Sequence, residues 1–321
     1  MATRTLDSPP SILPLYARAA APMVPGASLL PFVPGRGKEI PEIELTLPSV
    51  RADAEQVAAY SRVCGFSLRD TLPPTYPHVL AFPLHMAVMA DGSFPFGAVG
   101  LVHVENTISQ LRPIGIGEEL EIKVKPTKLK PHPKGRTFSL LTKVKSGNRI
   151  VWESTSTMLR RGGGEPSAAA EPGKSELNQP LHPADGQVDA VREGEAEEAL
   201  ANAEWRLGGD LGRRYAAVSG DRNPIHMHSL TAKPLGFPRA IAHGMWSKAR
   251  CLAAMESRLP DAFEVGVRFR KPILLPGRVE FTSAASEGDA IQFAVRDAKR
   301  GTPHLDGRME PLEAKPKNGR K

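Results

Sequence analysis

Apolar positions recur along this chain at two spacings, one helical and one extended, and each recurs in both halves. Leu211, Tyr215 and Val218 fall at i, i+4 and i+7, the stripe of a short amphipathic helix, with Asp210 placed to cap it and Gly220 to end it. Met245, Ala249, Leu252 and Ala253 form a second helical stripe that begins just after Gly244. The period then changes to two. Phe263, Val265, Val267 and Phe269 point one way and Glu264, Arg268 and Arg270 the other, which predicts a half-buried strand. Val279 and Phe281, then Ile291, Phe293 and Val295, predict two more. Upstream, Leu120, Ile122 and Val124 alternate, as do Phe138, Leu140, Thr142 and Val144, and Ser146-Gly147-Asn148 makes a hairpin turn into Ile150 and Trp152. Each half therefore reads as helix followed by antiparallel sheet, an α+β layer pattern.

The halves also share local sequence. Tyr60 to Gly65 parallels Tyr215 to Gly220, Phe82 to Met86 parallels Ala242 to Met245, and Arg112-Pro113-Ile114 parallels Arg270 to Ile273. Three matches in one order predict an internal duplication. Between the halves, residues 162–187 consist of Gly, Pro, Ser, Ala and charged residues with almost no large apolar side chain, a composition that cannot offset its ordering entropy. The expected division is an N-terminal unit over 1–161 that starts with an irregular segment, a flexible linker over 162–187, and a C-terminal unit over 188–321 that ends in a basic tail.

A chain of 321 residues suits two domains of roughly 100–200 residues each. The formal charge of +7 favours anionic partners, and part of it lies in the tail at Lys315, Lys317, Arg320 and Lys321. No zinc-finger spacing or aromatic–glycine motif points to nucleic acid, so none is expected as a partner. Two cysteines, Cys64 and Cys251, cannot build a disulfide framework and fit a reducing, cytoplasmic setting. Residues 11–33 are fairly apolar, but Arg18, Pro14, Pro22, Pro25 and Pro31 interrupt them, so neither a signal peptide nor a membrane span is expected.

The informative string runs from Tyr215 through Ser219-Gly220-Asp221, then Asn223-Pro224-Ile225-His226, with His243-Gly244-Met245 downstream. It resembles the signature of the MaoC-like (R)-specific enoyl-thioester hydratases. The two-part layout is similar to the double-hotdog 3-hydroxyacyl-thioester dehydratases, in which only the C-terminal hotdog keeps the motif. The resemblance implies a double hotdog, two units that each wrap a curved antiparallel sheet around a long helix. It also implies a hydro-lyase interconverting trans-2-enoyl and (3R)-hydroxyacyl thioesters of coenzyme A or acyl carrier protein, in fatty-acid metabolism, and it places the oxyanion donor at Gly244.

The chemistry of the residues supports this. Hydration of a conjugated double bond needs a group that takes a proton from water and one that delivers a proton to the α-carbon. Asp221 and His226, five apart in a Pro-containing loop, can grip one water between them; which of them protonates carbon stays open. Ser219 and Asn223 are candidates for orienting the pair, and a backbone N–H at Gly244, at the start of a helix, suits a developing enolate oxygen. Arg268, Arg270 and Lys271 are candidate phosphate contacts. His226, His228 and His243 resemble part of a zinc site, but no fourth ligand is evident, and neither a metal nor a cofactor is expected. Aligned on Tyr60 to Gly65, Phe66 falls at the place of Asp221, Thr71 at that of His226 and His85 at that of Gly244, so the first half is expected to be catalytically silent and to shape the acyl pocket. Two fused units imply a monomer that mimics a dimer, or a further homodimer. The alternative function is a non-catalytic acyl-thioester-binding or scaffold protein.

Overall fold

The computed structural model describes residues 2–21, 35, 37–161 and 199–312; the expected linker and the basic tail lie outside them. The first half contains β1 (Ala2–Thr5), α1 (Ile12–Ala20), β2 (Ile43–Val50), α2 (Ala54–Cys64), α3 (Tyr76–Met89), β3 (Val102–Gln110), β4 (Leu120–Pro126), β5 (Lys130–His132), β6 (Gly135–Ser146) and β7 (Arg149–Arg161). The second contains β8 (Ala199–Leu207), α4 (Leu211–Ser219), α5 (Pro224–Met227), α6 (Ser229–Ala232), α7 (Gly244–Ala254), β9 (Phe263–Phe269), β10 (Gly277–Ala285), β11 (Ile291–Asp297) and β12 (Pro303–Pro311). All twelve strands belong to one sheet, in the order β1-β2-β4-β6-β7-β3-β9-β12-β11-β10-β8, with β5 paired to β6.

That order is a palindrome about the β3–β9 pair. β2-β4-β6-β7-β3 on one side is matched by β8-β10-β11-β12-β9 on the other, so the expected duplication is present as a pseudo-twofold arrangement with a continuous seam. The seam satisfies the backbone groups of two strands that would otherwise be open edges. The alternation in the sequence sets which face is inward. Val265, Val267, Phe281, Phe293, Leu120, Ile122 and Val144 are all buried, each such side chain stabilising the fold by roughly 1.5–3 kcal/mol.

The seam is also polar. Lys248 of α7 is fully buried and donates to the carbonyl oxygen of Asn106 at 3.0 Å, to Asn106 Oδ1 at 2.6 Å and to the carbonyl of Val265 at 2.8 Å, so one ammonium group ties β3 to β9. The Asn106 amide donates onward to the hydroxyls of Ser154 and Ser156. Opposite Glu105 in the ladder stands Arg268, whose Nε lies 3.3 Å from the Glu105 carboxylate.

The structure corrects the alignment of the halves. Leu72 N donates to Ile114 O and Ala242 N donates to Ile273 O, while Thr71 and Ile241 each form an isolated bridge one residue earlier. Thr71 thus corresponds to Ile241 and not to His226. Five residues, 66–70, separate Gly65 from Thr71, where twenty, 221–240, separate Gly220 from Ile241. The first half lacks the inserted segment that carries His226. His85 likewise lies deep inside α3 and not at its start. Tyr76 takes the place of His243, since each ring packs on the tyrosine of the preceding helix: Tyr60–Tyr76 at 5.2 Å and Tyr215–His243 at 4.8 Å between centroids. Pro77 therefore stands at the position of Gly244, and a proline has no N–H to offer an oxyanion.

The first residues are not irregular throughout, as expected from their prolines. β1 pairs in parallel with β2, and α1 buries Leu15 and Ala19. Pro14 falls in the first turn of α1, where its missing N–H costs no helical hydrogen bond.

Candidate active site

The loop that follows α4 begins at Gly220, in the left-handed conformation at φ 75°. Asp210 stands at the start of α4 as expected but makes no side-chain capping bond. Past the glycine, Ser219 Oγ accepts from Asp221 N at 3.2 Å, and Asn223 N donates to Asp221 Oδ1 at 3.1 Å. Pro224 then opens the short helix α5, with a weak 3.5 Å contact from Ile225 N to Asn223 Oδ1. Ser219 and Asn223, the candidates for orienting the pair, thus fold the loop about Asp221. The helix α5 turns His226 inward, and its Nδ1 donates to the carbonyl of Ile241 at 2.8 Å. A carbonyl only accepts, so Nδ1 carries the proton and Nε2 presents a lone pair.

His243 precedes α7 and is buried. Its Nε2 donates to the Asp221 carbonyl at 3.0 Å and lies 3.8 Å from Asp221 Oδ2, and its ring stacks on His226 at 3.7 Å between centroids, 26° apart. Gly244 is the first residue of α7, where helix geometry leaves N–H groups without intrahelical acceptors. A Cβ at this position would approach the Phe269 ring to 3.0–3.1 Å, so any larger residue would have to displace the ring.

Burial on its own would raise the Asp221 pKa. The His243 and His226 imidazoles, the Tyr16 hydroxyl and the Asn223 N–H together outweigh it and hold the carboxyl below its usual value. Burial depresses His226, with the Asp221 charge and the Ile241 carbonyl offsetting it only in part. Burial, and then His226, push His243 down to about 3. Asp221 is thus favoured as a carboxylate, both imidazoles are disfavoured as cations, and His226 Nε2 has its lone pair available.

Asp221, His226 and His243 have potential ligand atoms within 4.8 Å of one another. A metal ion binds in the plane of an imidazole, about 2.0–2.1 Å from nitrogen. Two rings stacked face to face have no such point in common, and His243 Nε2 already carries the proton it gives to the Asp221 carbonyl. As arranged, the trio does not fit a metal ion.

Asp221, His226 and Gly244 all line a cavity of about 400 Å³ that runs on into the first half, where Phe82, Met89, Leu101, Leu140 and Met158 contribute to its wall. Of the three cations singled out, Lys271 is exposed at this cavity. Arg270 also lines it but is held by Asp306 at 2.6 Å. Arg268 is not a candidate phosphate contact, because its side chain is only 6 % exposed and is turned into the β3–β9 seam.

Tyr16 was not foreseen. Its hydroxyl donates to Asp221 Oδ1 at 2.8 Å and accepts from Arg222 N at 2.8 Å, reaching the site from α1. The signal available was the i, i+3, i+4, i+7 spacing of Ile12, Leu15, Tyr16 and Ala19, which the surrounding prolines obscured.

Comparison with known proteins points to a family. A MaoC like domain matches residues 196–306. The chain is 36 % identical over 303 residues to 3-hydroxyacyl-thioester dehydratase X of Mycobacterium tuberculosis, covering 94 % of this chain and 99 % of that protein. The crystal structure of HtdX from the same organism superposes with a TM-score of 0.68 at 34 % identity, over 84 % of this chain and all of that one. A further M. tuberculosis protein described as a double hotdog fold gives a TM-score of 0.54 at 15 % identity, over 83 % and 93 % of the two chains, a likeness of fold. With its two mirrored hotdog units and the motif retained in the second alone, the chain belongs to the MaoC-like dehydratase family.

Proposed function

We propose that the protein is a hydro-lyase that interconverts trans-2-enoyl and (3R)-hydroxyacyl thioesters, with Asp221 and His226 as a single proton relay and the Gly244 N–H as oxyanion donor. The observation that carries this reading is that polar atoms of Asp221 and His226 lie within 4.8 Å of one another, with Nε2 the unprotonated nitrogen of His226, on the wall of a cavity that Gly244 of α7 also lines. In the hydration direction, a water held between the two side chains loses a proton to the relay as its oxygen bonds to the β-carbon. The π electrons move onto the thioester oxygen, where the first-turn N–H groups of α7 and the helix dipole stabilise the enolate. Return of a proton from the relay to the α-carbon completes the addition, and dehydration is the same path reversed. Every group needed is a side chain or backbone amide of this chain.

The first half contributes wall and not chemistry. Phe66 and Pro77 replace the carboxylate and the oxyanion glycine, and the His226-bearing segment is missing. Lys271 at the cavity and the net positive charge favour a phosphate-bearing carrier, either coenzyme A or the phosphopantetheine arm of a carrier protein.

The test is loss of enoyl absorbance with crotonyl-, octenoyl- and longer enoyl-CoA. Wild-type protein should consume at least one of them. Asp221→Asn and His226→Gln should each slow turnover by about 10³-fold or more while circular dichroism stays native. A non-catalytic acyl-binding protein would show no turnover at all.

A further inference from the structure

The N-terminal arm has no counterpart among the described residues of the second half, which begin at residue 199. It starts as β1 on the outer strand of the first half, and α1 then crosses to the catalytic loop of the second. Two contacts fix it there. Ile12 sits against Gly220, where any Cβ would collide with its Cδ1, and Tyr16 reaches Asp221 and Arg222. The Tyr16 hydroxyl uses both its capacities, donating to the carboxylate and accepting from the next backbone amide.

The consequence for Asp221 is an asymmetry between its oxygens. Oδ1 receives two donors, the Tyr16 hydroxyl at 2.8 Å and the Asn223 N–H at 3.1 Å. Among the described residues, the partner of Oδ2 is the His243 ring, whose Nε2 lies 3.8 Å away. We propose that Tyr16 is a positioning residue of the active site: by occupying Oδ1 it locks the carboxylate rotamer and leaves Oδ2 as the oxygen presented to the substrate water, so that the arm supplied by the first unit completes the site of the second. This rests on the reading of Asp221 as half of the relay. No covalent step involves the tyrosine; its proton stays on the phenol, whose burial and whose neighbouring carboxylate both oppose ionisation.

A merely structural tyrosine and a positioning one differ in what they change. Tyr16→Phe keeps the ring that packs α1 and removes only the donor. The expected result is a fall in kcat of about tenfold with KM nearly unchanged, and a rise of about one pH unit in the acid limb of kcat/KM, since a carboxylate that loses a charge-assisted hydrogen bond protonates more readily. A fluorinated tyrosine at position 16 is close to the natural side chain in size and donates more strongly. It should move the acid limb the opposite way, and it decides the matter if the phenylalanine variant folds poorly. Asp221→Asn is run alongside. Inactive Asp221→Asn with wild-type kcat and pH profile in both Tyr16 variants would overturn the role of Tyr16 and leave the relay standing. An active Asp221→Asn would overturn the relay itself, whatever Tyr16 does.

Discussion

At the scale of single residues, the site was legible where the chemistry is contiguous in sequence. Asp221, His226 and their loop fall within eight residues, and the structure brings them together with Gly244 on one cavity. Gly244 has the Phe269 ring packed on it and, in the proposed mechanism, also faces the thioester. Gly244→Ala should separate them. Its added methyl group must push the Phe269 ring aside by a few tenths of an ångström and should lower kcat by about 10- to 100-fold through misplacement of the reacting carbonyl. Adding Phe269→Leu makes room for the methyl group, so the double variant should regain thermal stability and not kcat. Recovery of both in melting and rate measurements would mean that this glycine serves packing alone. What the sequence hid was a residue far away along the chain. Tyr16 is 205 positions from Asp221, and nothing local to either reports a contact made by folding. Arg268 was misplaced for a related reason: strand alternation assigns it to a polar face, but that face is the seam with the other half.

At the scale of elements, strands whose inward residues are Val, Ile, Leu or Phe were readable, as in β4, β6, β9, β10 and β11. The central strands β3 and β7 were less so, because their buried positions include Asn106, Ser154 and Ser156. Those polar residues are in the core because Lys248 is. It lies on the apolar stripe of α7 beside Met245, Ala249 and Leu252, a place where a sequence pattern expects no ammonium group. Burial drives its pKa well down, with Glu264 countering only in part. Its three acceptors in the seam make it a tie between halves. Lys248→Met keeps the length and removes the donors. It should cost about 1–3 kcal/mol, the penalty of an acceptor left buried and unpaired, visible as a lower urea midpoint. An unchanged or higher midpoint would show that the seam does not depend on this group.

At the scale of the whole molecule, duplication was visible from three short matches, while their exact alignment was not. A segment of twenty residues in one half answers to five in the other, so counting offsets placed Thr71 and His85 against the wrong partners. The proposal that the first half is silent therefore rests on the missing segment and on Pro77, and no longer on Thr71 or His85. The molecule also buries several histidines whose pKa values burial lowers. Burial lowers His78 to about 4 and His243 to about 3, and lowers His85 and His226 as well. All four side chains are under a tenth exposed. Below pH 6.5 the unfolded chain binds protons that the folded one refuses, so stability must fall as pH drops from about 6.5 toward 4. The slope approaches about 1.4 kcal/mol per pH unit for each such histidine. Urea midpoints at pH 7.5 and 5.5 should differ accordingly, and equal midpoints would mean that these rings are solvated or already charged.

The claim on which the functional reading depends is that Asp221 and His226 act on one water as a unit. Groups that work as a unit are non-additive when removed. The direct measurement is kcat/KM for enoyl-thioester hydration in wild type, Asp221→Asn, His226→Gln and the double variant. A shared relay predicts that the double variant is about as slow as either single one. Losses that multiply, or a single variant that keeps its rate, would contradict it.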